Sequence, residues 1–434
     1  MPMNVGAETP PLAEVLASAA AILATGAAVA GPALDMLERL GYRQGPADAT
    51  AHRVAMLRAA SGFQRIFLLP SADAPGLTAL GAEVDASCLG IADAPTGGVS
   101  GTGLSFRQAF ESCVGEGVEF ISGWATPSDE FMRQNADAAP SAVRKLWDRL
   151  LPYRRAGSAD WTAGANLADG STVYLPADLC FRRPVAERDL DPPWPLSTGC
   201  GAGIDPLSAT LHGLLELIER DAVALWLRGG TPPRVVPPGP GAAVLAQLRG
   251  GSSGRRTWLL DITSDIRVPV VAAIACNEDG FGLCKGTACR PTLAAAADSA
   301  LMELAQMELA YRLSAAKRDA YGEAALNATD REHIRRYSEI ETVTTPVIKP
   351  LAPPQPSCNL QSREKVGILA GIRQRLEAVG VEVYGVNLTR PALGIPVVRT
   401  FAPNLEMGLA SPPGPRLLVA AERFGTDPTR PILL

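Results

Sequence analysis

Two glutamates and an arginine stand close together near the middle of the chain, at a spacing that suits chemistry on a charged ligand. Glu216 and Glu219 are three residues apart, and Arg220 follows directly. Residues three or four apart share one face of a helix, so these two carboxylates lie side by side. One interpretation is a solvated helix surface with an intrahelical ion pair, which is common and contributes little stability. The other is a site for a divalent cation and a phosphate group, since carboxylates bind hard cations and arginine binds phosphate oxygens.

The residues just before this acidic segment determine how it is presented. Asp205 and Pro206 are typical of the cap and first turn of a helix, so they predict that a helix begins there. Residues 197–203 in front of them are rich in glycine. A glycine-rich loop would allow the backbone to approach a polyphosphate closely.

The order of glycine-rich stretch, helix and acid occurs three times in the chain. The spacing between copies is too irregular for a solenoid array. We therefore expect three related units that converge on one centre, which favours a ligand site over a solvated surface. The other two copies are residues 97–103 with a helix at 106–120 carrying Glu116 and Glu119, and residues 282–287 with a helix at 292–313 carrying Glu303.

A strand–turn–strand pattern occurs twice. Residues 258–271 and residues 384–398 each contain a strand, a turn with an acid or amide, and a return strand. We interpret both as β-hairpins used for core packing. Together with the helices, they predict an α/β (α+β) fold of repeated loop–helix and strand units packed as sheets and helices.

These motifs together resemble a YcaO domain. The resemblance runs from about residue 95 to about residue 405, in the order that the family shows. The set of motifs is much more specific than any single one. The stretches that carry it are Ser112-x-x-x-Glu116-x-x-Glu119, Glu216-Leu-Ile-Glu219-Arg220-Asp221, Glu303 followed by Gln306, and Asn387-Leu-Thr-Arg-Pro-x-Leu-Gly-Ile-Pro-Val-Val398.

The resemblance implies an ATP- and Mg²⁺-dependent enzyme that activates a backbone amide of a ribosomally made peptide or protein. The amide oxygen is phosphorylated while a nucleophile adds to the amide carbon. A side chain of the substrate would give an azoline, as in a cyclodehydratase, and external sulfide would give a thioamide. The implied fold surrounds a central nucleotide site. The implied ATP-binding residues are Ser112, Glu116, Glu119, Glu216, Glu219, Arg220 and Glu303, of which the five glutamates would hold the metal.

Four positions depart from the family pattern. Phe120 stands where the first motif usually has arginine, and Ile204 where asparagine is usual. Ser208 replaces a frequent glutamate, and Ser299 replaces a frequent glutamine. These changes motivate an alternative function, a catalytically impaired nucleotide-binding scaffold that presents a peptide to a partner enzyme.

The resemblance also suggests partners. Family analogy indicates a homodimer. We find no ubiquitin-activating-enzyme-like domain fused to this sequence, which motivates the hypothesis of a separate partner protein, either TfuA-like or ubiquitin-activating-enzyme-like.

The chain divides, by this reading, into two parts. Residues 1–90 are predicted to form a mainly helical extension, with helices at 32–40 and 51–60 and a short strand at 65–69. Residues 91–434 are predicted to form the YcaO-like ATP-binding catalytic domain. The extension shows no winged-helix pattern clear enough to assign peptide recognition to it.

Composition excludes several classes of partner and ligand. The net charge is −5 and no long basic stripe is present, which argues against a nucleic-acid partner. The three histidines and eight cysteines show no C-x-x-C spacing, so a zinc site is not expected. The alanine-rich run at 11–30 is interrupted by Glu14 and has no basic segment before it, so we expect neither a signal peptide nor a membrane span. A cytoplasmic protein with reduced thiols is the resulting expectation.

Overall fold

The computed structural model describes residues 11–27, 30–44, 49–91, 96–251 and 254–430. The helices there are α1 (Leu12–Thr25), α2 (Pro32–Leu40), α3 (Thr50–Ser61), α4 (Phe106–Ser122), α5 (Ser141–Arg149), α6 (Ala177–Cys180), α7 (Pro206–Leu227), α8 (Ala242–Arg249), α9 (Leu293–Tyr321), α10 (Ala328–Glu339), α11 (Lys365–Ala378) and α12 (Pro415–Phe424). The strands are β1 (Arg65–Leu69), β2 (Thr78–Val84), β3 (Gly97–Gly103), β4 (Met132–Gln134), β5 (Ala159–Asn166), β6 (Thr172–Pro176), β7 (Cys200–Ala202), β8 (Arg234–Val235), β9 (Arg255–Asp261), β10 (Val270–Asn277), β11 (Cys284–Cys289), β12 (Tyr384–Asn387) and β13 (Val397–Phe401).

The strands form three sheets, and neighbouring strands in them run antiparallel. One sheet has the order β1-β2-β3, and a second has the order β11-β10-β9-β8. The third follows the path β4-β5-β12-β13-β7, with β6 paired to β5. The mixture of helices and antiparallel sheets confirms the predicted α/β class.

Each sheet contains one copy of the same unit, which is made of three strands and a helix. It consists of an antiparallel strand pair, a glycine-rich strand at the edge, and a helix that packs on that edge strand. The three units are β1-β2-β3 with α4, β9-β10-β11 with α9, and β12-β13-β7 with α7. The hairpins predicted at 258–271 and 384–398 are confirmed as the strand pairs of two units. The strand pair of the remaining unit, β1-β2, was not predicted from the sequence.

The glycines of the edge strands allow the helices to pack closely. A Cβ atom at Gly101 would lie 2.0 Å from the backbone nitrogen of Cys113. At Gly201 and Gly286 it would lie 2.4 Å and 2.2 Å from backbone atoms of α7 and α9. The expectation that these stretches are loops is therefore wrong for residues 97–103, 200–202 and 284–287, which are strands, whereas residues 197–199 and 282–283 are not. Gly101, Gly201 and Gly286 are present because a side chain would collide with the helix backbone.

Each of the three helices begins with a polar cap. Ser105, Asp205 and Thr292 accept a hydrogen bond from the backbone N–H three residues later, which satisfies one of the free donors at the helix start. The predicted cap at Asp205 is confirmed, with Pro206 in the first turn. The cap fixes where each helix starts, and so fixes which face its acids occupy.

The described part of the first 90 residues contains the predicted helices and short strand, together with β2, which was not predicted. Helix α2 and strand β1 have the predicted bounds, and α3 differs by one residue at each end. Phe63 and Val118 belong to the same buried core cluster. Strand β2 pairs with β3 along its whole length, so this sheet crosses the predicted boundary between residues 90 and 91. The division into an extension and a catalytic domain stays a prediction.

Membrane insertion can be examined from helix length and hydropathy. Across the ranges given above, no helix combines the length and the apolar character needed to span a bilayer.

Candidate active site

A cavity of about 940 Å³ lies where α4, α7 and α9 meet. The three helices come from the three repeated units, so the predicted convergence on one centre is what the structure shows. The acids line a cavity wall, which excludes the alternative of a solvated helix surface. The cavity lining includes every residue predicted for the site: Ser112, Glu116, Glu119, Glu216, Glu219, Arg220 and Glu303.

In the α7 and α9 units, the first of the predicted acids accepts a hydrogen bond from the backbone of its own unit. Glu216 accepts a hydrogen bond of 3.0 Å from the N–H of Gly199, just before β7. Glu303 accepts one of 3.2 Å from the N–H of Thr287 in β11. Each carboxylate is thus held by the backbone of its own edge strand or of the residue just before it, and the other oxygen of Glu216 pairs with Arg220.

In each helix, the residue three positions after the first predicted acid forms a hydrogen bond with the edge strand of the next unit. Because α4 contacts β7, α7 contacts β11 and α9 contacts β3, the units close into a ring around the cavity. At least one hydrogen bond secures each junction, and at the junction of α9 with β3 the Thr102 hydroxyl also donates to Gln306 at 3.4 Å. These bonds run from Ala202 N–H to Glu119 Oε1 at 2.6 Å, from Thr287 Oγ1 to Glu219 Oε1 at 2.7 Å, and from Gln306 Nε2 to Ser100 Oγ at 3.0 Å.

Arg220 lies between the two acids of its own helix. Its guanidinium is 3.2 Å from Glu216 and 3.6 Å from Glu219. Burial disfavours the charged form, but the carboxylates of Glu219 and Glu216 outweigh it and raise the pKa of Arg220. The arginine is therefore a fixed positive charge at the cavity wall.

The cavity carries more negative charge than this arginine neutralises. Burial, and then the charge of Glu216, raise the pKa of Glu116 to about 7. Burial, and then the charge of Glu219, raise the pKa of Glu303 to about 7. Burial also raises the pKa of Glu119 and of Glu216. Such carboxylates are stabilised in their charged form when a cation is bound among them.

The acids fit Mg²⁺ only when it is bound with other ligands. In the described ranges, no three His, Cys, Asp or Glu side chains are arranged to hold a metal ion by themselves. Mg²⁺ is commonly held by one or two carboxylates together with phosphate oxygens and water. The donor set of this cavity therefore suits Mg²⁺ that arrives with a polyphosphate.

Two of the four departures from the family pattern lie in this cavity. Ser208 and Ser299 line it, whereas Ile204 is exposed and outside the lining. Lys365 of α11 donates a hydrogen bond of 2.6 Å to Ser208 Oγ and one of 3.0 Å to Asp205. A positive charge thus stands where the family pattern often has a carboxylate.

The sequence analysis missed two residues of the site. Lys365 is the first residue of α11, and no local signal marked it. Thr287 stood at the end of a glycine-rich stretch already singled out, so its position in the repeat was the available signal. Its hydroxyl and N–H bind Glu219 and Glu303 together.

Cysteines near the cavity do not act as thiolates. Cys200 lines the wall, and Cys113 packs on Gly101 behind it. Burial raises the pKa of Cys200 well above the usual range, and burial and Glu116 raise that of Cys113 to about 12. Both are protonated packing residues at neutral pH. All eight cysteines are free thiols.

A family profile described as YcaO cyclodehydratase, ATP- and Mg²⁺-binding, matches residues 100–406. Among curated relatives, a protein of Rhizobium leguminosarum bv. trifolii is 28% identical over 340 residues, covering 71% of this chain and 77% of that protein. It is named an uncharacterized protein in the tfuA 3′ region.

Solved structures show the same fold. A heterocyclase in complex with substrate and cofactor superposes with a TM-score of 0.65 at 20% identity, over 89% of this chain and 56% of that chain. A YcaO protein from Methanopyrus kandleri, bound with AMPPCP and Mg²⁺, superposes with a TM-score of 0.56 at 20% identity. The match covers 82% of this chain and 88% of that chain. The present chain spans little more than half of the heterocyclase.

Proposed function

The chain belongs to the YcaO family, and we propose that it uses ATP and Mg²⁺ to modify a backbone amide in a ribosomally made peptide or protein. The amide oxygen forms a bond to the γ-phosphorus of ATP, and ADP leaves. A nucleophile then forms a bond to the amide carbon, and the carbon–oxygen bond breaks. The former amide oxygen departs with the phosphate, which also takes the proton of the nucleophile, and when an azoline ring forms the amide N–H proton is released to solvent.

One observation carries the proposal: six glutamates from three helices, including the five predicted for the metal, line a single cavity large enough for a nucleotide. Mg²⁺ bound there would neutralise phosphate charge and align the transfer. Their number and burial support this role, because carboxylates packed so closely repel one another without cations between them. We propose that Glu116, Glu119, Glu216, Glu219 and Glu303 hold the metal.

The remaining predicted residues would bind the nucleotide directly. Arg220 is fixed by two carboxylates, so its guanidinium is already oriented for phosphate oxygens. The hydroxyl of Ser112 lines the same wall and can donate to a phosphate or ribose oxygen. We assign no general base to the chain.

Two nucleophiles fit the activated amide. A side chain of the substrate would close an azoline ring, and external sulfide would give a thioamide. The relative named for the tfuA 3′ region supports a separate TfuA-like partner, with a ubiquitin-activating-enzyme-like partner as the other candidate. We further propose a homodimer that works in the cytoplasm.

The second candidate is a nucleotide-binding scaffold that presents a peptide to a partner enzyme. The contact between Lys365 and Ser208 favours it, because an ammonium group stands beside a position where the family frequently has a glutamate. A scaffold would bind the peptide with or without Mg²⁺ and would not consume ATP.

The test is calorimetric titration with ATP in the presence of Mg²⁺, on the parent chain and on Glu216→Gln and Glu303→Gln. We expect saturable binding by the parent and a loss of at least about tenfold in affinity in each variant, which equals 1.4 kcal/mol. Glu339→Gln, at an exposed position of α10, is the matched control and should bind like the parent. A parent chain that binds no ATP would contradict the proposal, whereas ATP binding without ATP consumption in the presence of a peptide would favour the scaffold.

A further inference from the structure

A second cavity of about 160 Å³ lies beside the large one. The two cavities share Glu116, Glu119, Ser197 and Cys200, so the smaller one lies directly behind the acids of α4. Its volume is close to the roughly 150 Å³ of an engineered cavity that holds benzene, so it can take a small ion or group but not a nucleotide. We call it the side cavity. The rest of its lining is Gly98, Val99, Phe120, Gly123, Arg182, Leu196 and Leu388.

Arg182 is the positive group in the wall of the side cavity. Its guanidinium lies 4.9 Å from the ring centroid of Phe120. Its backbone is fixed on both sides, because its N–H bonds to Gly123 O at 2.6 Å and its C=O accepts from Ala125 N–H at 2.9 Å. In the described ranges, the side chain of Arg182 has no hydrogen bond or ion pair with a protein group.

The repeated units give this arginine a counterpart. In the α7 unit, Arg220 directly follows the second acid, Glu219. In the α4 unit, the residue after Glu119 is Phe120. The guanidinium of Arg182 stacks on the ring of Phe120, and Arg182 lines the side cavity together with Glu119, the second acid of this unit. A guanidinium from another segment is thus present in this unit as well.

Arg399 places a second positive charge behind the same wall. It pairs with Cys200 across strands β13 and β7, so their side chains lie on one face of the sheet. Arg399 is fully buried, and all three of its side-chain nitrogens lack a hydrogen-bond partner in the described part of the chain. An unpaired buried guanidinium is costly. Burial, and then Arg399 itself, also lower the pKa of Arg182, which indicates that the two charges lie close together.

We propose that the side cavity is a subsite for a small anion, bound by Arg182 and stabilised by the charge of Arg399 behind Cys200. Among the residues that the structure describes, neither Arg182 nor Arg399 has a carboxylate partner. One anion bound between their guanidinium groups and the acids Glu116 and Glu119 would compensate their positive charge. The apolar walls formed by Phe120 and Leu388, together with the small volume, exclude a large group. For its place in a reaction, this inference rests on the proposed function.

Two sources could supply such an anion. One is inorganic phosphate, the product released when the activated amide is displaced. The other is a small anionic nucleophile from solution, for which hydrosulfide is the probe. Both share the chemistry of a compact anion beside the acids that we assign to the metal.

The test is calorimetric titration with inorganic phosphate and, separately, with hydrosulfide, at ionic strength held constant with chloride. We expect saturable binding of one of them by the parent chain, weakened at least about tenfold in Arg182→Gln and partly restored in Arg182→Lys. Arg154→Gln is the matched control, since Arg154 also stacks on an aromatic ring, at 4.6 Å from Trp147, but does not line either cavity. Parent affinity in Arg182→Gln for both anions, or no binding by the parent, would overturn the proposal.

Diffraction from bromide-soaked crystals gives a second readout that does not depend on activity. We expect an anomalous peak between Arg182 and Cys200, and its absence in the parent would overturn the subsite. Titration of the same proteins with ATP and Mg²⁺ separates this inference from the proposed function. ATP binding without anion binding would remove only the subsite, and anion binding that depends on Arg182 without ATP binding would remove only the function.

Discussion

The hydroxyl of Thr287 donates a hydrogen bond of 2.7 Å to the carboxylate of Glu219, so the edge strand of one unit fixes an acid of another. Valine in place of Thr287 keeps the shape and removes this donor. A hydrogen bond to a charged group contributes about 1.5–3 kcal/mol, so we expect ATP affinity in the presence of Mg²⁺ to fall at least tenfold. Thr287→Ser keeps the hydroxyl and should stay near the parent in calorimetry. Equal affinity in the parent and Thr287→Val would show that this bond does not position the acid.

Gly286 tests why the edge strands contain glycine. A Cβ atom there would lie 2.2 Å from the backbone nitrogen of Leu304, and backbone cannot move aside as a side-chain tip can. We expect Gly286→Ala to lower the free energy of unfolding by about 1–3 kcal/mol or more, measured with urea. Gly98 is the control, because a Cβ there meets nothing within 4 Å, and Gly98→Ala should cost less than about 0.5 kcal/mol. Similar losses in both variants would refute the packing explanation.

The stability of the ligand-free protein should depend on the acids of the cavity. Burial and Glu219 raise the pKa of Glu303 to about 7, above its value in the unfolded chain, so the folded state binds the proton more tightly. The free energy of unfolding should therefore fall as the pH rises from about 4.5 to 7 without Mg²⁺. Thermal unfolding across this range should show a smaller fall in Glu303→Gln than in the parent. The same slope in both proteins would argue against a raised pKa.

Binding of ATP with Mg²⁺ should release protons near neutral pH. Glu116 and Glu303 are partly protonated there in the free protein, because burial raises the pKa of each to about 7, and a bound cation favours their ionised forms. Calorimetry at pH 6.5 in two buffers of different ionisation enthalpy measures the release. It should shrink above pH 8, where both groups are already ionised. Release that is equal at pH 6.5 and at pH 8.5 would exclude these carboxyls as the source.

The cap of α7 should contribute measurably to stability. Asp205 accepts a hydrogen bond of 2.6 Å from the N–H of Ser208, and loss of such a cap costs about 1 kcal/mol. Asp205→Ala should lower the free energy of unfolding by that amount in urea titrations. Asp205→Asn retains a capping oxygen while losing the charge opposite Lys365, and should lose less. An asparagine variant as unstable as the alanine variant would assign the effect to the ion pair.

The sequence predicted the site better than the architecture around it. Acids three residues apart on a helix lie on one face whatever surrounds the helix, so Glu216 and Glu219 could be paired from local spacing alone. Convergence of the three helices followed from repetition, since related units bury related faces. The cap at Asp205 was an equally local signal.

Features that depend on distant contacts were not predicted. The glycine-rich stretches look like loops locally, and only the packing of α4, α7 and α9 on them shows why they are strands. Lys365 and Arg182 enter the cavities from segments with no motif of their own. Their positions depend on which helices and strands pack together, which the spacing of residues along the chain does not encode.

The pairing of β7 with β13 has a consequence for how the protein is made. A ribosome that has reached the end of α9 has already synthesised all five glutamates, but the strand that holds β7 in its sheet is still to come. Contacts between segments so far apart in the chain form slowly, because a long loop must close first. The nascent protein therefore carries its acids unassembled until β13 has emerged, and a chain that is cut short before β13 would lack the strand that pairs with β7 beside the cavity.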